Sequence, residues 1–273
     1  MGIPSEPQSL PLKVDYHPSR ERYYGPSKGT IRELVFSGYL ATSMMSDAER
    51  ATLIMLLDRI RPKIAIEIGT AEAGSLSIIA RYSERVYSLD VDPSCEARFS
   101  PHFPNTTFVV GDSRETMPAL LDEVEDLEFV LIDGLHTASG VRADIENLLR
   151  FKPRRDVWIV MHDSFNPDCR QGMKRADWAS SPFVHYVELD FVGGQYDRPE
   201  CRRPKEMWCG LGLALMRPEP REGELTVSED ERSLYDAVLS LSSHRQGIFA
   251  RVARRVRRIW RHANAPGHRR VEA

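Results

Sequence analysis

The chain has 273 residues, 41% of them hydrophobic and 28% charged, with a formal net charge of −3, which suits one soluble domain with extensions and a full core. No apolar run approaches the roughly 20 residues that span a bilayer, and the start Met1-Gly2-Ile3-Pro4-Ser5-Glu6-Pro7 has neither a basic nor an apolar stretch, so a cytoplasmic protein is expected. Cys95, Cys169, Cys201 and Cys209 show no C-x-x-C spacing and suit reduced thiols rather than a disulfide frame or a zinc site.

Residues 1–28 are proline-rich without periodicity and predict an extended arm. Residues 29–220 form the main domain, and residues 221–273 a helical extension. Residues 32–39 and 47–60 predict helices, the second with Ala51, Ile54, Met55, Leu57 and Ile60 on its apolar face and Ser46 as its cap. An alternation follows: strand 64–69, helix 74–82, strands 85–90 and 107–111, helix 114–122, strand 128–133, helix 138–150, strand 156–162 and helix 169–179. That order predicts an α/β, doubly wound, mostly parallel sheet with helices on both faces. Runs 183–192 and 211–216 predict an antiparallel closing pair. Between them, residues 193–209 read as a loop over the site or at a subunit contact.

The most specific stretch is residues 64–75. An apolar run (Ile64, Ala65, Ile66, Ile68) has the continuous character of a strand covered on both faces. It carries Glu67, ends at Gly69, and a second glycine, Gly74, opens a helix where the backbone can approach a ligand. Ser75 and Leu76 stand where a phosphate-binding P-loop has Lys and then Ser or Thr, and the tighter G-x-G-x-x-G is absent. Nucleoside binding without a triphosphate remains. Asp90, about twenty residues on, ends the next strand where a carboxylate can take both ribose hydroxyls. A third run ends in Asp112 and Ser113, which could meet an adenine edge. Two further strand ends, Ile132-Asp133-Gly134-Leu135-His136 and Met161-His162-Asp163-Ser164, would point into the same crevice. Converging carboxylates suit a hard cation such as Mg²⁺, which lowers the pKa of a hydroxyl and holds its oxygen in line. An imidazole at His136 could take the released proton. His162 reads as a strand-end cap or a ligand, Asp144 as solvated or helix-capping, and Asn166 as a reserve ligand or turn residue.

This succession resembles the class I S-adenosylmethionine-dependent methyltransferases over residues 35–216. The resemblance implies a seven-stranded Rossmann-like sheet with an antiparallel closing strand. It also implies S-adenosylmethionine held by Glu67, Gly69, Gly74, Ser75, Asp90, Asp112, Ser113 and Asp133. Ile132 to His136 falls where the catechol-type, metal-dependent O-methyltransferases place a metal-binding aspartate and, three residues on, a catalytic lysine. His136 replaces that lysine. The Ile-Asp-Gly-x-His form is more similar to a branch of sugar- and antibiotic-tailoring enzymes, which implies a saccharide or glycosylated metabolite as hydroxyl acceptor. Asp163 matches a second metal ligand, with Ser164 where the family usually has Asn or Asp, so Asp133, Asp163 and Ser164 are the expected metal set. In that family the segment before the first core helix covers cofactor and substrate, a role carried loosely onto Met44 and Met45, which could equally be packing residues. A metal-independent or catechol-type phenolic O-methyltransferase and a non-catalytic cofactor-binding subunit stay open as alternatives. Homodimerisation is expected, and nucleic acid is not.

The tail is electrostatically distinct. Residues 251–273 hold eight arginines against Glu272, about +7, leaving about −10 for the rest. Phe249, Val252, Val256, Ile259 and Trp260 share one helical stripe, which predicts a basic amphipathic helix packing on the body or a partner, or resting peripherally on an anionic membrane at the inner surface.

Overall fold

The computed structural model describes residues 44–196 and 205–244. The expected arm, the helix at 32–39, part of the 193–209 loop and the arginine-rich tail lie outside the described residues. Helix α1 (Asp47–Ile60) opens with a capping box: Ser46 Oγ accepts from Glu49 N–H, and a Glu49 carboxylate oxygen accepts from Ser46 N–H at 2.6 Å. Two of the helix's orphan donors are thereby satisfied. Its buried face is Glu49, Leu53, Ile54 and Leu57, whereas Met55, expected on that face, points to solvent. Of the residues just before it, Met45 is a core residue and Met44 is exposed.

Strands β1 (Ile64–Ile68), β2 (Arg85–Asp90), β3 (Thr106–Val110), β4 (Leu127–Ile132) and β5 (Val157–His162) run parallel. Helices α2 (Gly74–Tyr82), α3 (Ser94–Phe99), α4 (Ser113–Glu123), α5 (Ala138–Leu148) and α6 (Pro167–Arg175) complete the alternation. The short α3 lies where no helix was expected, and a separate 3₁₀ turn at Trp178–Ser180 takes the end of the predicted helix 169–179. Asn166 is the cap of α6, accepting from Asp168 and Cys169 N–H, with proline at the first helical position.

The sheet has eight strands, not seven, in the order β10-β6-β9-β5-β4-β1-β2-β3. Strand β9 (Leu211–Met216) is inserted antiparallel between β5 and β6 (Val184–Val192), so β6 again runs with the parallel set. The extra edge is β10 (Val227–Ser228), which pairs parallel to β6. A separate two-stranded ribbon joins β7 (Gln195–Tyr196) and β8 (Met207–Trp208). Helix α7 (Arg232–Leu241) packs Tyr235 edge-on to Phe165, so the described part of the C-terminal extension is joined to the domain.

Side-chain alternation builds two cores. In β4, Val130 and Ile132 face a core with α4, α5 and α6, while Phe129 and Leu131 face one with α1, α2 and α3. Both faces of each central strand are covered, which is why these strands read as unbroken apolar runs. The chain order reverses between β1 and β4, and the crevice beyond their carboxyl ends is where ligands bind in such sheets.

Candidate active site

The turn after β1 is shaped by a close approach. Gly69 has φ of +95°, and a Cβ there would sit 2.1 Å from the carbonyl oxygen of Asp133. Only glycine lets β1 and β4 end side by side in this way. Ala71 and Ala73 also have positive φ. Asp90 ties the turn down: one carboxylate oxygen accepts from Thr70 and Ala71 N–H at 2.8 and 3.1 Å, and the other from Asp92 N–H at 2.9 Å.

Beside this turn lies a cavity of about 330 Å³, lined by Gly69, Asp90, Asp112, Ser113, Asp133 and His136 among others, a size that suits a small ligand. Six residues expected at the cofactor or the reaction therefore meet at one cavity. Glu67, Gly74 and Ser75 do not line it. Glu67 is wholly buried behind the turn, where Ser75 Oγ and Ser88 Oγ donate to its two oxygens at 2.5 and 2.7 Å, and Ser88 also pairs with Thr70 Oγ1 at 2.7 Å. Burial raises its pKa to about 8, although both serine hydroxyls oppose the rise.

Four residues that can hold a metal converge at the ends of β4 and β5: Asp133, His136, His162 and Asp163. His136 Nε2 lies 3.1 Å from Asp133 Oδ1 and 3.2 Å from Asp163 Oδ2, and His162 Nδ1 lies 2.9 Å from Asp133 Oδ1. Asp163 has φ of +58°, and Cys209 N–H donates to its Oδ1 at 2.6 Å. The left-handed backbone, tolerable for aspartate, turns the carboxylate to face His136. Trp208 meets the His136 ring edge-on at 6.0 Å. Ser164 stands outside this group: its backbone N–H donates to Gly210 and its carbonyl accepts from Arg170. His162 is not a simple strand cap, because its other nitrogen lies 3.2 Å from Glu49 Oε1.

The charges in this group balance one another. Burial alone would raise the Asp133 pKa, but the charge of His162 and the hydrogen bonds from both histidines hold it below the ordinary range. Burial disfavours charge on His162 too, yet Asp133 and Asp163 raise its pKa well above the ordinary value. His136 is raised by its hydrogen bond to Asp133, against burial. Asp163 is raised by burial.

Two residues of this region escaped sequence reasoning. Glu49 was not singled out, although Ser46-x-x-Glu49 is a recognisable capping box; nothing local shows its second role against His162. Asp144 was expected to be solvated or helix-capping, but it is buried and lines the cavity, with Ser113 Oγ donating to its Oδ1 at 2.6 Å. The signal for Asp144 was present, since Val141, Asp144, Ile145 and Leu148 follow the spacing of one buried helical face.

The sheet is mostly parallel with one antiparallel insertion, and it carries the glycine turn and the acid at the end of β2 on which the resemblance to the class I S-adenosylmethionine-dependent methyltransferases rests. Residues 66–164 match a methyltransferase domain family. Comparison with curated proteins gives no match. Among solved structures, the chain is similar to an O-methyltransferase from Bacillus cereus in complex with S-adenosylhomocysteine, at 14% identity over 73% of this chain and 95% of that one, with a TM-score of 0.49. It is likewise similar to the O-methyltransferase TomG from Streptomyces achromogenes, at 14% identity over 76% and 93%, with a TM-score of 0.49. Among the described residues, no helix is long and apolar enough to cross a membrane.

Proposed function

We propose that this protein transfers the methyl group of S-adenosylmethionine to a hydroxyl of a small molecule, with the acceptor oxygen placed between the cavity and the Asp133, His136, His162 and Asp163 group. The convergence of two carboxylates and two imidazoles beside a nucleoside-sized cavity carries this reading. Asp90 takes the ribose, because both its oxygens already face the turn and keep further lone pairs. Neutral His136 is the proton acceptor for the substrate hydroxyl, and Asp133 and Asp163 strengthen it as a base by stabilising its charged form.

The donor set fits a divalent cation held by Asp133 and Asp163, with an imidazole taking the third place for which Ser164 was expected. Carboxylates suit Mg²⁺, and the imidazoles extend the candidates to Mn²⁺ or Fe²⁺. Such an ion, when bound, supplies Lewis acidity to the acceptor oxygen. The Ile-Asp-Gly-x-His resemblance supports a saccharide or glycosylated metabolite as acceptor. A second reading, metal-independent methylation of a phenol, is favoured by one observation: the two histidines already face the carboxylates that a cation would neutralise.

The test is transfer of labelled methyl groups to a panel of glycosides and phenols, after chelator treatment and with Mg²⁺ or Mn²⁺ returned. Glycoside methylation restored by the ion supports the first reading. Phenol methylation indifferent to chelator supports the second, and no transfer to any hydroxyl compound refutes both.

A further inference from the structure

Resting on the cofactor reading, we propose that Asp144 selects the adenine base by accepting a hydrogen bond from its exocyclic amine. Asp112, the acid the sequence pattern puts nearest the base, is engaged elsewhere. Its carboxylate caps α4 by accepting from Arg114 N–H at 3.0 Å, and it is forked by the Arg114 side chain through both oxygens. That pairing holds Asp112 at a pKa of about 2 and ties both of its oxygens to Arg114.

Asp144 is placed differently. It is 1% exposed and lines the same cavity as Gly111, Asp112 and Ser113. Ser113 Oγ holds its Oδ1, and no other donor among the described residues reaches the carboxylate. Its Oδ2 faces Gly134, where a Cβ would sit at 3.4 Å. A glycine there keeps this oxygen uncovered on the cavity side. An acceptor oxygen with no protein donor among the described residues that opens on the cavity is available to a donor on the ligand, and an adenine amine is the donor that the cofactor carries. Because the Ser113 hydroxyl proton is used on Asp144, the pair presents an acceptor at this end of the cavity. Hypoxanthine, with a carbonyl oxygen in place of the amine, would meet that acceptor with another.

Calorimetry with S-adenosylhomocysteine and S-inosylhomocysteine tests this without any turnover. The wild-type protein should prefer the adenine compound by about tenfold or more. In Asp144→Asn, Ser113 can still donate to Oδ1 while the amide now offers a donor, so the preference should fall or invert. Asp112→Asn should change both affinities together and leave their ratio alone. Equal wild-type affinities overturn the inference without reference to any variant, as does an Asp144→Asn ratio matching the wild type. Binding of neither compound by the wild type overturns the cofactor reading and this inference with it; adenine-blind binding overturns the inference alone.

Discussion

Glu67 makes stability depend on pH in a direction opposite to most carboxylates. Its ordinary pKa of 4.5 is raised to about 8 by complete burial, so the folded protein holds a proton that the unfolded chain releases above pH 4.5. The folded state binds more protons across that window, and stability falls as pH rises from about 4.5 to 8. At about 1.4 kcal/mol per pKa unit, the loss has an upper bound on the order of 5 kcal/mol for this residue. Glu67→Gln removes the titration while keeping the shape and an acceptor for one serine. The variant should match the wild type within about 1 kcal/mol near pH 5 and exceed it by a few kcal/mol near pH 8.5. Urea denaturation of both proteins across this range reads the difference directly, and the subtraction cancels other titrating groups such as Asp144, whose pKa burial raises to about 6. Parallel stability profiles for the two proteins would refute the reasoning.

Gly69→Ala should destabilise the fold by about 2–4 kcal/mol, from a left-handed side chain and a clash with the Asp133 carbonyl; thermal denaturation checks it, and an unchanged melting temperature would contradict the described turn. Asp90→Ala removes the acceptor for three backbone N–H groups and the proposed ribose contact, so S-adenosylhomocysteine affinity should fall about 100-fold by calorimetry. His136→Ala should slow methyl transfer about 10²–10⁴-fold with cofactor affinity unchanged, and a fall in both together would mean that His136 shapes the cavity rather than accepting the proton. Truncation after residue 245 should abolish co-sedimentation with anionic vesicles without changing stability if the basic tail rests on lipid; lost stability or dimerisation, with no vesicle binding by the full chain, would place the tail on the protein itself.

What the sequence showed and what it hid divide along the range of the forces involved. The parallel strands were legible because burial on both faces demands an unbroken apolar run, and the turn was legible because Gly69 answers a local backbone requirement. The meeting of Asp133, His136 and Asp163 was legible because each follows a strand end, where topology alone gathers side chains. The insertion of β9 between β5 and β6 is a matter of non-local pairing, and β10 is too short to carry a pattern. Glu67 shows the limit most clearly. Its position in the motif suggested the cofactor, yet its environment is set by Ser75 and Ser88, the latter on another strand. Glu49 likewise satisfies a local rule with one oxygen and lies at ion-pair distance from a non-local partner, His162, with the other. The same double use couples the first turn of α1 to the imidazole beside Asp133, so a change in the cap at Ser46 would be felt in the orientation of His162. Local patterns identify which residues can do chemistry; only the pairing of distant segments determines which oxygen of each remains available for it.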